Sequence, residues 1–286
     1  MEIVINGINA ETIIGCYEHE RDFSQKLIFN LKIEIDNTSE IGKTDALKET
    51  INYDEIIIFI QDLVQKTDYQ LLEKLAIYLN DMILERYLIA SSVVIEVIKP
   101  AICGVLAREI KVIHKTIREY SVALAFGSNT ENLPKQQIIS AIEILSQYIK
   151  DIKISKLYKT KPYAYLEQNN FYNAVIIGQT NLKPDSLLAK IKKLEKMLGK
   201  TEICQNGPRI IDIDIIFFNN WIYQNHFLII PHPNMHLRDF VLKPLMDVAG
   251  SWVHPVLNKS IDTLYNELPT AELTIIGVED YVSNIN

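Results

Sequence analysis

Hydrophobic and polar residues alternate over most of Gln25 to Asp36. Leu27, Phe29, Leu31, Ile33 and Ile35 point one way, and Lys26, Asn30, Lys32, Glu34 and Asp36 the other. A period of two over that length predicts a half-buried strand, and the apolar run Glu2–Ile8 can pair with it as a long hairpin. From Asp54 to Lys66 and from Leu71 to Tyr87 the period becomes helical, with Leu72, Leu75, Leu79, Met82 and Ile83 on one stripe. Val93–Ile98 and Val105–Ile113 return to strand around the turn-like Pro100–Gly104. The order ββααββ predicts an α+β domain with helices laid on one face of an antiparallel sheet.

The polar stretch His114–Glu119 is the best boundary, and it divides the chain into residues 1–118 and 119–286. Beyond it the pattern restarts. Strand Ser121–Phe126 leads through Gly127-Ser128-Asn129 to a helix over Pro134–Tyr148. Strands Ile154–Tyr158 and Phe171–Ile177, helix Lys183–Leu198, strand Ile210–Phe218 and a helix near Arg238–Ala249 follow. Two β-α-β passes predict a ferredoxin-like α/β layer structure.

At 286 residues the chain has room for two cores. A net charge of −7 with both signs interspersed argues against a nucleic-acid partner, which would call for a basic stripe. Cys16, Cys103 and Cys204 are scattered and form no CxxC pair, so neither a zinc ribbon nor a disulfide framework is expected. The opening residues MEIVINGINAETIIG carry acidic groups where a signal peptide carries basic ones, and no apolar run reaches the ~20 residues of a membrane span. These features predict a soluble, cytoplasmic protein.

The segment Ile210–Phe218 changes the picture most. On a strand Asp212 and Asp214 lie side by side on one face, ~7 Å apart, with Ile211, Ile213 and Ile215 on the other. Two like charges on an apolar strand are costly unless a cation neutralises them. Oxygen ligands with open neighbouring positions suit Mg²⁺, which binds one or two carboxylates together with substrate phosphates. Arg209 precedes the pair as a candidate phosphate clamp, and His232, His236 and Arg238 crowd the loop that follows.

With these residues in view, Val122–Pro269 resembles 6-hydroxymethyl-7,8-dihydropterin pyrophosphokinase. The matching segments are Phe126-Gly127-Ser128-Asn129, Phe171-Tyr172-Asn173-Ala174-Val175, Gly207–Ile215, and Pro231-His232-Pro233 running on to Arg238 and Phe240. The resemblance implies that Asp212 and Asp214 bind two Mg²⁺ ions bridging the phosphates of ATP, the co-substrate. It implies that Glu195, Lys200, Arg209, His232 and Arg238 hold ATP and its departing charge. Phe171 and Phe240 would sandwich the flat pterin while Asn173 and Thr160 read its edge. The hydroxymethyl oxygen would attack the β-phosphorus, and AMP would leave. This sequence departs from the family in having Lys200 where an arginine is usual and Asn206 where a tryptophan is usual, in a loop about one residue short.

Glu20, Tyr53, Leu72, Glu73 and Lys99 are each ordinary taken alone. Their settings together resemble dihydroneopterin aldolase: Ile14–Glu20, Gln25–Phe29, Thr44-Asp45, Asn52-Tyr53, Leu71–Ala76 and Ile98-Lys99-Pro100. The resemblance implies a tunnelling fold and cleavage of 7,8-dihydroneopterin to glycolaldehyde and 6-hydroxymethyl-7,8-dihydropterin, with neither metal nor Schiff base. Glu73, with Leu72 beside it, would bind the pterin. Lys99 would support proton transfer, Tyr53 would protonate the departing carbon, and Glu20 would organise the site. It also implies homo-oligomeric rings, four or eight subunits, assembled through this domain. The product of the first reaction is the substrate of the second. The partners are then small molecules, dihydropterins and ATP, with neither nucleic acid nor membrane. Two alternatives stay open for the first half: an epimerase of dihydroneopterin or its triphosphate, and a non-catalytic oligomerisation module.

Overall fold

Strand β2 (Gln25–Ile35) organises the first half because its inward residues, Leu27, Phe29, Leu31, Ile33 and Ile35, are all buried. The computed structural model describes residues 1–35, 43, 45–100, 107–130, 133–162, 169–199, 210–270 and 273–280. The chain divides into two compact units, Met1–Arg118 and Glu119–Asn286. In the first, β1 (Glu2–Thr12) and β3 (Ala90–Pro100) flank β2, and β4 (Glu109–Ile117) pairs with β3, every pair antiparallel. One turn, α1 (Glu18–Arg21), carries Glu20, followed later by α2 (Tyr53–Gln65) and α3 (Leu72–Arg86). Asn52 caps α2 by accepting from Asp54 N at 3.1 Å.

Ile56, Ile60 and Val64 of α2 and Leu75, Leu79 and Ile83 of α3 pack with the inner face of β2 in one core. Asn80, fully buried on α3, donates to Val93 O, His114 O and Thr116 Oγ1 at 3.1–3.3 Å, tying the helix to β3 and β4. The polar stretch His114–Glu119 is therefore not a linker along its whole length. His114–Ile117 completes edge strand β4, whose residues alternate between half-buried and exposed, a pattern that polar residues tolerate at a sheet edge. Most of the expected turn Pro100–Gly104 lies outside the described residues.

The second unit is built on β5 (Tyr120–Ser128). The next elements are α4 (Pro134–Leu145), β6 (Lys150–Ile154), β7 (Leu157–Thr160), β8 (Phe171–Thr180), α5 (Pro184–Met197) and β9 (Asp212–Phe218). Two short ribbons follow, β10 (Tyr223–Gln224) with β11 (Ile229–Ile230) and β12 (Val253–His254) with β13 (Lys259–Ser260). Helices α6 (Asp239–Ala249) and α7 (Ile261–Asn266) and strand β14 (Ile275–Glu279) complete the unit. The main sheet runs β14-β7-β8-β5-β9, with β6 also on β8, and its pairs are antiparallel. Ile138, Ile142, Leu187 and Ile191 of α4 and α5 share one buried cluster with Leu124, Phe126 and Ile213. Val241, Leu242 and Leu245 of α6 share another with Val175 and Ile216. Helices thus cover both faces of the sheet.

The strand expected over Ile154–Tyr158 is broken in two. Buried Ser155 donates its N–H to Val175 O and accepts Val175 N–H on its own Oγ, both at 2.9 Å, so a side chain replaces the backbone acceptor and ends the ladder of β6. Strand β7 then begins along the same edge of β8. Strand β14 was not expected from the sequence. Among the described residues no helix is long and apolar enough to cross a membrane. Ser155→Ala leaves the buried Val175 N–H without its acceptor and is expected to destabilise the second unit by about 1–3 kcal/mol. Chemical denaturation followed by tryptophan fluorescence checks this, and an unchanged midpoint would contradict the account of the break.

Candidate functional sites

In the first unit the structure joins two of the expected residues. Lys99, near the end of β3, donates to Glu20 Oε1 at 2.5 Å, and both side chains are largely buried. Lys99 Nζ also lies 3.5 Å from Ile14 O, and Glu20 Oε2 accepts Tyr17 N–H at 3.1 Å. The hydrogen bond from Lys99 is the main cause that holds the Glu20 carboxyl below its ordinary range, against the opposing effect of burial. Gly15 makes the arrangement possible. It sits at φ +137°, and a Cβ there would lie 2.3 Å from Glu20 Cδ. Buried Gln25 holds the same loop through the carbonyls of Ile14 and Glu20. Sequence reasoning assigned neither Gly15 nor Gln25 a role, although a glycine between apolar Ile14 and a polar turn is the kind of signal that marks a close approach.

Tyr53 opens α2 and Glu73 lies in the first turn of α3, and both are exposed. Among the described residues, neither is hydrogen-bonded to the Glu20–Lys99 pair. Leu72 buries its side chain in the core.

In the second unit the register of the sheet creates the site. Gly127 on β5 pairs with Asn173 on β8 and with Asp212 on β9, so these three residues form one row across the sheet. Directly opposed residues share a face, which puts the Asn173 amide and the Asp212 carboxylate on one side, roughly 10 Å apart, two strand spacings. Gly127 leaves the gap between them open; a Cβ there would lie 3.3 Å from Asn173 Oδ1. The next row, Val175–Ala125–Asp214, again sets a small residue beside the carboxylate. Asn173 Nδ2 donates to Thr160 Oγ1 at 2.9 Å, both residues being buried, and Phe171 pairs with Thr160 at the same end of the sheet.

Asp212 and Asp214 are both half-buried, while Ile211, Ile213 and Ile215 are buried beneath them. Burial first, and the charge of Asp212 second, push the Asp214 carboxyl up; His232, Lys192 and Arg238 pull it back. The basic neighbours missing from the strand are thus supplied by other elements. Burial pushes the His232 imidazole down, against the pull of Asp214. His232 is fixed by its own N–H to Ile216 O at 3.1 Å and by Asn234 N–H donating to its Nδ1 at 3.3 Å. Arg238 lies over the Phe240 ring, 5.7 Å from the centroid.

Glu195, which the resemblance puts among the ATP-holding residues, lies against the carboxylate strand. It is 2% exposed; its Oε1 accepts Ile213 N–H at 2.9 Å, between the two aspartates, and Oε2 accepts Lys192 Nζ at 2.9 Å. It holds the carboxylate strand at Ile213. Ser128, also unassigned from sequence, donates to Ile210 O at 2.6 Å and fixes the entry to the same strand. Lys200 and Arg209 lie outside the described residues.

Among the described residues no three His, Cys, Asp or Glu side chains form a metal cage. A pair of carboxylates on one open face suits a Mg²⁺ ion that keeps its other positions for phosphate and water.

Residues 123–250 match the 7,8-dihydro-6-hydroxymethylpterin-pyrophosphokinase (HPPK) family, and residues 3–114 match dihydroneopterin aldolase. A 2-amino-4-hydroxy-6-hydroxymethyldihydropteridine pyrophosphokinase of Aquifex aeolicus is 38% identical over 141 residues, covering 49% of this chain and 88% of that protein. The folic acid synthesis protein fol1 of Pneumocystis carinii is 32% identical over 283 residues, covering 93% of this chain. The folic acid synthesis protein FOL1 of Dictyostelium discoideum is 42% identical over 148 residues, covering 52% of this chain. The chain spans only 38% and 22% of the lengths of those two proteins. It belongs to the hydroxymethyldihydropteridine pyrophosphokinase family through its second unit and carries a dihydroneopterin aldolase domain in its first.

Proposed function

We propose that the chain catalyses two consecutive steps on the pterin of folate biosynthesis. Residues 1–118, read as a tunnelling-fold domain, would cleave 7,8-dihydroneopterin to glycolaldehyde and 6-hydroxymethyl-7,8-dihydropterin. Residues 119–286, read as a ferredoxin-like layer with an added helical face, would transfer pyrophosphate from ATP to that product. The observation that carries the reading is the row Asn173–Gly127–Asp212, which opposes a pterin-reading amide to a metal-binding carboxylate across a gap without a side chain.

In the transfer step Phe171 and Phe240 would stack on the two faces of the pterin, and Asn173 with Thr160 would select its donor and acceptor edge. That pose directs the hydroxymethyl oxygen along the row toward β9. Asp212 and Asp214 would hold Mg²⁺, which supplies neutralisation of the ATP phosphates when bound. His232 and Arg238, both of which act electrostatically on Asp214, would meet the negative charge that develops on departing AMP. Lys200 and Arg209 would add to that positive field. A lysine at position 200 keeps the charge and gives up the bidentate fork of an arginine. Glu195 enters this scheme as a positioning residue for the strand between the aspartates.

In the cleavage step Glu73 would bind the pterin and the Lys99–Glu20 pair would carry the proton traffic. A side-chain hydroxyl of the substrate loses its proton, the neighbouring carbon–carbon bond breaks to release glycolaldehyde, and Tyr53 returns a proton to the ring-side carbon. Exposure of Tyr53 and Glu73 in the single chain fits a site completed by a second subunit.

Incubation of the chain with 7,8-dihydroneopterin, ATP and Mg²⁺ is expected to yield glycolaldehyde, AMP and the pterin pyrophosphate together. Epimer formation without glycolaldehyde would turn the first unit into an epimerase, and inertness toward dihydroneopterin would leave it an oligomerisation module. Lys99→Ala is expected to abolish glycolaldehyde release while pyrophosphoryl transfer to added 6-hydroxymethyl-7,8-dihydropterin stays near the wild-type rate. Loss of both activities in a folded, assembled variant would contradict two separate sites.

Assembly gives an independent check. Strands β1 and β4 are the edges of the first sheet, and Val4, Ile110 and Ile113 on them are exposed. Unpaired edges with apolar side chains call for partners, and a closed ring supplies them. Light scattering of the full chain is expected to give four or eight subunits, and a monomer at micromolar concentration would exclude the ring.

A further inference from the structure

We propose that Asp239 is a positioning residue that clamps the C-terminal strand β14 against the loop carrying Arg238 and Phe240, and so sets the geometry of the pterin and nucleotide site. The inference rests on the pyrophosphokinase reading above. Asp239 is the first residue of α6, lies directly between Arg238 and Phe240, and is only 2% exposed. Its Oδ2 accepts Thr274 N–H at 2.5 Å and Ile275 N–H at 3.0 Å, and its Oδ1 accepts Thr274 Oγ1 at 2.6 Å. Three donors from one short segment satisfy a buried carboxylate, and the helix N-terminus favours its negative charge.

The segment that supplies those donors lies beyond residues 123–250, the range that matches the pyrophosphokinase family. It is also joined to the other wall of the site. Thr274 O accepts Lys161 N–H at 2.9 Å, and Ile275 pairs with Thr160, the residue hydrogen-bonded to Asn173. At its far end, Glu279 is paired with Lys135 on α4. One short strand therefore connects the residues read as gripping the pterin edge, Thr160 and Asn173, to those read as stacking on it and meeting the phosphates, Phe240 and Arg238. A buried carboxylate deprived of these donors would have to move toward water and would take the first turn of α6 with it. Neither Asp239 nor Thr274 needs to touch substrate for this effect.

Three variants of the full chain test the clamp. Asp239→Ala removes the acceptor of all three hydrogen bonds, Thr274→Pro removes two of the three donors from the opposite side, and the third variant combines them. Each single substitution is expected to raise KM for 6-hydroxymethyl-7,8-dihydropterin and for MgATP by about 10–100-fold, with a smaller fall in kcat. The double variant is expected to be no worse than the more affected single one, because both act on one contact. Glycolaldehyde release from dihydroneopterin should be unchanged. Hydrogen exchange without substrate should show faster exchange at residues 239–243 in Thr274→Pro, which tests the clamp even if a variant loses activity. Unchanged KM values in the single variants, additive effects in the double variant, or unaltered exchange at 239–243 would each overturn the proposal. A wild-type chain that transfers no pyrophosphate would instead sink the kinase reading, with the exchange experiment still deciding the clamp.

Discussion

Two carboxylates on the face of an otherwise apolar edge strand are the constraint around which the second unit is arranged. Asp212 and Asp214 repel each other and lose hydration, and burial with mutual repulsion accounts for the raised Asp214 carboxyl. The isoleucines that alternate with them anchor the strand in the core, so it cannot turn over to hydrate the acids without exposing Ile211, Ile213 and Ile215. The free edge of β9 is occupied as well. Glu195 takes the Ile213 N–H and the loop before α6 brings His232 N–H to Ile216 O. The strand is held on its buried face and at its edge, and the acids remain where only cations relieve them. The positive side chains that act on Asp214, from α5 and from the 231–238 loop, are drawn from parts of the chain far from it in sequence.

The first unit solves the opposite problem. Its Lys99–Glu20 pair joins unlike charges at 2.5 Å, and the depressed Glu20 carboxyl reports that partnership. A largely buried pair of this kind is expensive to break from one side, because the remaining charge is left without compensation. What makes the contact fit is the absence of a side chain at Gly15, as the absence of one at Gly127 opens the gap in the second unit. In both units chemistry-bearing residues depend on a glycine that makes room.

Much of this was legible in the sequence where periodicity was strong. The alternation over Gln25–Asp36 identifies β2 and its buried face, and the Asp212–Asp214 spacing puts both acids on one face of β9. The sequence shows less where a side chain replaces a backbone partner. Ser155 splits one expected strand into two, because its hydroxyl takes an N–H that a continuous ladder would satisfy. A polar edge strand such as β4 looks like a linker, since only Val112, His114 and Thr116 along it are even half-buried. Long-range contacts were the least visible. Nothing local to Glu195 says that it faces Ile213, and nothing local to Asp239 says that Thr274 will reach it, since those pairings exist only after the sheet has formed.

The most direct measurement is pre-steady-state pyrophosphoryl transfer by Asp212→Ala and Asp214→Ala at saturating MgATP, together with pterin affinity determined in the absence of nucleotide. If the two acids are cation ligands serving the chemical step, each substitution should slow turnover by roughly two to three orders of magnitude or more. Pterin affinity, which depends on Phe171, Asn173 and Phe240, should change little. Near-normal turnover in either variant would reduce the pair to a solvated acidic face and contradict the account.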